Sequence, residues 1–199
     1  MEAPESIHQF WFGTNADDGV TVATQAKLWW SKDDALDLDI KQRFAASSDL
    51  ALNGKLDEWS ATSDGCLALI LLCDQFPRNM YRNTPQAFAF DDNALQLAKE
   101  GIAHQLDTRL RPIERVFFYL PFEHSESLAD QDRAVALFRQ LADEAKPAHK
   151  TSFENFLNFA IRHREVIKRF QRFPHRNKIV GRDSTAAELQ FLSEPGSSF

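Results

Sequence analysis

Apolar residues recur along this chain at helical spacing, and convincing strand alternation is scarce. The clearest stripe is Phe153, Phe156, Ala160, His163, Ile167 and Phe170, which steps by threes and fours and so shares one helix face. Thr151 and Glu154 have capping-box spacing at its expected start. Leu128, Ala134, Val135, Phe138 and Leu141 predict the helix before it, opened by Ser125 or Ser127 and followed by Pro147. Leu110, Ile113, Val116, Phe117 and Leu120 predict a short helix that ends before Pro121.

Helix punctuation fills in the rest. Pro4 suits a first turn and Gly13 a C-terminal cap, and a long helix is expected from about Asp33 to Leu52, closed by Asn53-Gly54. Ser63 or Asp64 can cap the apolar run "CLALILLC", and Pro77 disfavours helical geometry at Phe76, so that helix is expected to stop there. Thr84-Pro85 reads as an N-cap and first helical residue, opening a helix through "AFAFDDNALQLAKEGI". Thr185 and Glu188 form a second capping-box pattern before "AAELQFL", and residues 193–199 are expected to form a loose tail. The sum is an all-α fold of antiparallel helical hairpins joined by short loops.

At 199 residues the chain can bury one substantial core, so a single compact domain over residues 1–199 is expected. A formal charge of −6 supplies no general attraction to nucleic acid or anionic lipid, so neither a nucleic-acid nor a membrane partner is expected. The first residues contain no apolar stretch of signal-peptide length, and the longest apolar run is too short to span a bilayer, which points to the cytoplasm. Cys66 and Cys73 would lie about 10 Å apart on a helix, beyond disulfide reach, and are expected as free buried thiols. Phe10, Trp11, Phe12, Trp29, Trp30 and Trp59 are read as packing residues, with a minor role lining a groove left open.

Two stretches share a phrase: "DQFPRNMYRNT" from Asp74 and "QRFPHRNKIVGRDST" from Gln171. Pro ends a helix, Asn and Thr tolerate turn geometry, and Arg is favoured beside exposed helix C-terminal carbonyls. With "TPQAFAFDDNAL" and "FFYLPFEHSESLADQ", these stretches make the chain resemble a bacterial family known as domain of unknown function 924, over about Leu69 to Leu192. The resemblance implies an α-helical fold related to tetratricopeptide-like hairpins, packed as an α-α superhelix, and no established activity. It also implies Gly where Gln171 stands.

The polar residues form three groups. In "PFEHSESLADQ", Glu123, His124 and Glu126 surround an expected helix start, where a carboxylate could orient His124 for acid–base work. The plainer reading is a Ser cap, solvated acids and a histidine bonded to backbone. His163 interrupts an apolar stripe; it is read either as a neutral core histidine or as facing Arg172, His175 and Arg176. Arg78, Arg82, Arg172, Arg176 and Arg182 suit carboxylate or phosphate recognition, or else pair internally with Asp74, Asp91, Asp92, Glu123 or Asp183.

No Walker or dinucleotide loop, HExxH, deaminase P-C-x-x-C or GxSxG elbow is present, and the spacing of His124, Glu126, His163 and His175 specifies no metal site. No cofactor is expected. The leading reading is a pocket for a small anionic or polar ligand, formed by Asp74, Arg78, Asn79 and Arg82, by the His124 segment, and by Arg172, His175, Arg176, Asn177 and Arg182. One alternative is an interaction module with a groove for a peptide or protein partner. The other is a hydrolase or lyase using His124, Glu126 and His163 as acid–base groups.

Overall fold

The 3.6-residue pattern is realised throughout the computed structural model, which describes residues 2–197 and contains no β-strand among them. The helices are α1 (Pro4–Phe12), α2 (Asp18–Trp30), α3 (Asp34–Leu52), α4 (Ser63–Cys73), α5 (Gln75–Met80), α6 (Asp91–Ala103), α7 (Pro112–His124), α8 (Leu128–Glu144), α9 (Lys150–Phe170) and α10 (Ala186–Leu192), with single 3-10 turns between several of them. The fold is all-α.

Helix α4 lies at the centre. It packs against α1, α3, α5, α6 and α7, and every residue from Gly65 to Cys73 is buried. This explains why "CLALILLC" is apolar on all sides rather than striped. Helices α7, α8 and α9 pack in succession across short connections, as helical hairpins do. The aromatic first third joins them: Trp11 meets Phe76 and Phe117 edge-on, and the Trp29 indole donates to the Trp11 carbonyl at 2.9 Å. Cys66 and Cys73 are both buried and unpaired.

Five helix boundaries differ from the sequence expectation. Helix α4 is capped not by Ser63 or Asp64 but by Thr62, whose hydroxyl accepts from Gly65 N–H at 3.1 Å. The break falls at Asp74 (φ −108°, ψ −61°), not at Phe76, because Pro77 sits in the first turn of α5, where its missing N–H leaves no intrahelical bond unmade. Thr84-Pro85 opens only a 3-10 turn, Pro85–Phe88, and α6 starts at Asp91. Pro121 does not end α7; it lies one turn before the end, and the helix continues to His124. Helix α9 begins at Lys150 after the 3-10 turn Pro147–His149, so Thr151 is already inside it and caps nothing.

The box of Thr185 and Glu188 forms as expected, with Thr185 N–H donating to Glu188 at 2.7 Å. Helix α2 had no counterpart in the sequence reading: it has little apolar striping, and its start is set by the Asp17 carboxylate, which accepts from Val20 N–H at 3.0 Å. In the expected tail, Arg162 donates to the Gly196 carbonyl at 2.9 Å and the Ser197 hydroxyl to the Leu192 carbonyl at 3.2 Å. Residues 198 and 199 lie outside the described residues.

Candidate functional site

The extension of α7 past Pro121 carries His124 to the break between α4 and α5. There its Nδ1 lies 2.6 Å from Oδ1 of Asp74, a side chain with no exposed surface. The same carboxylate receives the Gln75 amide and lies 3.1 Å from Nη1 of Arg78. Burial alone would raise the Asp74 carboxyl, but the Arg78 charge and the His124 bond outweigh it and hold it well below the usual range. Burial, reinforced by Arg78, pushes His124 the other way, below an ordinary imidazole. The ring is therefore neutral at pH 7. Because a carboxylate only accepts, Nδ1 carries the proton and Nε2 is left with a lone pair.

Asp91, the first residue of α6, is shared by two guanidinium groups. Arg78 grips it with both Nη atoms at 2.9 and 3.0 Å, and Nη1 of Arg176 reaches it at 3.1 Å. Arg176 is stacked between the rings of Phe88 and Phe173, at 4.7 and 4.6 Å from their centroids. Its Nε is buried and has no partner among the described residues. Burial, then the neighbouring Arg78 charge, lowers Arg176 to about 10. It stays a cation, but an under-compensated one.

Glu126 ties the α7–α8 connection to the second Phe-Pro stretch. Its carboxylate takes Arg182 at 2.6 and 2.9 Å and the Phe173 N–H at 2.8 Å. These elements surround a cavity of about 240 Å³, lined by Phe88, Asp91, Asp92, Leu95, Pro121, His124, Ser125, Glu126, Arg176, Val180 and Arg182. Behind its wall, Oε1 of Glu123 lies 3.0 Å from Nδ1 of His163, which is also 2.9 Å from the Phe159 carbonyl. Burial, with the Asp74 charge second, lifts Glu123 to about 8, and burial pushes His163 well down, so both are neutral at pH 7. Burial and the Arg176 charge lower His175 to about 3.

The three motifs thus meet: Arg78 pairs with Asp74 and Asp91 and Arg176 with Asp91, acids expected as internal partners, while His124 and Glu126 find partners that were not expected. Glu123 and His124 end a helix instead of starting one, and Glu123 is buried, not solvated. His124 is oriented by Asp74, while Glu126 is occupied by Arg182. Asp74 and Arg78 back the cavity, and Arg176 and Arg182 line it.

Other candidates point elsewhere. Asn79 and Arg82 both bind Asp37 of α3, at 2.9 Å and at 2.6 and 2.7 Å. Arg172 is held by Glu188 at 2.6 and 2.8 Å, and Asn177 donates to Ser184 at 3.0 Å. Among the described residues no group of three or more His, Cys, Asp or Glu side chains is placed to hold a metal ion. Asp37, Glu188, Gln75 and Phe88 were not anticipated as partners. Phe88 and Gln75 carried a weak signal, since they belong to the quoted stretches "TPQAFAFDDNAL" and "DQFPRNMYRNT", and Glu188 was marked only as a capping residue; Asp37 sits in unremarkable helical sequence.

A family model described as a bacterial protein of unknown function, DUF924, matches residues 7–196. A solved structure described as a protein of unknown function from Agrobacterium tumefaciens is 36% identical, with a TM-score of 0.80, over 95% of this chain and 96% of that one. No curated protein matches the chain.

Proposed function

The chain belongs to the bacterial DUF924 family, and on that premise we propose that it binds a small anion, a carboxylate or phosphate group, in the cavity between α6, α7 and the second Phe-Pro stretch. The observation that carries the reading is Arg176. Its guanidinium is taken out of water, stacked between two rings, given a part share of one carboxylate and left with an unused Nε–H. A buried cation so weakly compensated gains from an entering anion, and the planar fork suits a carboxylate or phosphate. The cavity holds roughly eight waters at liquid density, which supports a ligand of a few carbons over a peptide.

The same proposal takes the chain as one domain, supported by an apolar core continuous from α1 to α9, with the packing of α7, α8 and α9 supporting a tetratricopeptide-like arrangement. The two free buried thiols support a cytoplasmic setting, and among the described residues no helix is long and apolar enough to cross a membrane.

Calorimetric titration and thermal unfolding with malonate, succinate, phosphate and sulfate test the reading. A bound anion at a hundred times its Kd adds about 2.7 kcal/mol, and therefore roughly 5–10 °C in Tm for a chain of this size. Arg176→Gln is expected to abolish that gain. No binding by the wild type, or equal binding by the variant, refutes the proposal.

A further inference from the structure

We infer that Asp74 and His124 form an acid–base dyad and that the cavity hydrolyses small carboxylate monoesters; this rests on the anion site proposed above. The geometry has four parts. The Asp74 carboxylate, wholly buried, fixes the His124 ring through Nδ1 at 2.6 Å. That bond leaves Nε2 as the ring's proton acceptor, on a histidine that lines the same cavity as Arg176. Arg78 compensates Asp74 at the same oxygen, Nη1 lying 3.1 Å from Oδ1, so the aspartate stays charged while it orients the ring. The adjacent hydroxyl is engaged: Ser125 donates to Asp130 at 3.0 Å and accepts from Ser127 N–H at 3.2 Å. Water, for which the cavity has room, is therefore the nucleophile.

In the reaction, Arg176 holds the substrate's free carboxylate and places its ester carbonyl by His124. Nε2 takes one proton from water as the water oxygen bonds to the carbonyl carbon. The tetrahedral adduct then collapses, the bond from that carbon to the alkoxy oxygen breaks, and the departing oxygen takes the proton from Nε2. The products are a dicarboxylic acid, which loses its new proton to solvent, and an alcohol. Asp74 stays ionised and stabilises the transient imidazolium, as a positioning residue.

Bromoacetate is the first probe, since it carries a carboxylate for Arg176 and an electrophilic carbon for Nε2: the N–C bond forms as C–Br breaks and bromide leaves. At pH 7, peptide mapping should find His124 carboxymethylated at least ten-fold faster than any other histidine, saturably, with protection by malonate and a ten-fold or greater slowing in Arg176→Gln. Asp74→Asn should move alkylation from Nε2 to Nδ1 or stop it while malonate still binds, which loss of structure alone would not do. Ethanol release from monoethyl malonate, succinate and glutarate, followed by NMR, should exceed that of His124→Gln for at least one ester. If Asp74→Asn does not fold, the wild-type alkylation and hydrolysis decide. Malonate binding without selective His124 alkylation, or without hydrolysis of any of the three esters, overturns the dyad and leaves the anion site standing. Absence of binding by malonate, succinate, phosphate and sulfate alike overturns both.

Discussion

Glu123→Gln is expected to stabilise the protein increasingly as pH rises. Glu123 is 4% exposed, and burial, with the charge of Asp74 second, lifts its pKa from 4.5 to about 8. Below pH 4.5 the folded and unfolded chains both hold the proton. Between pH 4.5 and 8 the folded chain keeps it while the unfolded chain releases it, so stability falls with rising pH, and the loss is complete as pH passes the folded value. At about 1.4 kcal/mol per pKa unit, the interval from pH 5 to pH 8 carries roughly 3–4 kcal/mol. Glutamine keeps the side chain's shape and has no proton to lose.

Urea unfolding of both proteins at pH 5, 6, 7 and 8 measures the effect. A pH-independent offset from lost or altered hydrogen bonding to His163 is allowed for, because only the change in the difference matters. The histidines lowered by burial make wild-type stability rise with pH through their unfolded value, but they are present in both proteins and cancel in the difference. The difference should move toward the variant by about 3 kcal/mol across the range. A difference that stays flat means that Glu123 is ionised in the fold, and would refute the electrostatic account of the buried wall.

Two substitutions probe the backbone and the core. Gln171 caps α9 at φ +59°, a left-handed conformation that glycine adopts without strain, so Gln171→Gly should raise stability by about 0.5–1 kcal/mol while Gln171→Ala should not. A lower urea midpoint for the glycine variant would contradict the assignment of strain there. Gly101→Ala would place Cβ 2.4 Å from Cζ of the fully buried Phe118, so overpacking should lower stability by about 1–3 kcal/mol even though alanine is the better helix former. Unchanged or higher stability by thermal unfolding would mean that Phe118 has room to move.

The departure from the family's expected glycine at Gln171 acquires a physical meaning here. The position needs a left-handed residue to end α9, and no close approach of a ligand is required to explain the preference. The strained glutamine is tolerated because α9 is anchored elsewhere, by Phe153, Ala160, Val166 and Ile167 in the core.

By itself the sequence determined the all-α class, the stripe of α9, the apolar run of α4 with its two buried thiols, the Thr185 box and the grouping of polar residues into three stretches. Each of these depends on neighbours within a few positions, where helical period, capping and proline chemistry act directly. Local rules faltered where a competing local detail won, as at Pro77 and Pro121, whose effect depends on their distance from a helix end.

Tertiary structure alone decided which charges meet. His124 finds Asp74 across 50 residues, and Arg176 finds Asp91 across 85, while Arg82 and Arg172, with equal claims on paper, leave for Asp37 and Glu188. A guanidinium or a carboxylate has no sequence signature for its partner. Which pair forms is set by which helix ends the packing of the apolar faces brings within hydrogen-bond reach, and by which of those ends it removes from water, so that a charge arriving there must find an opposite one.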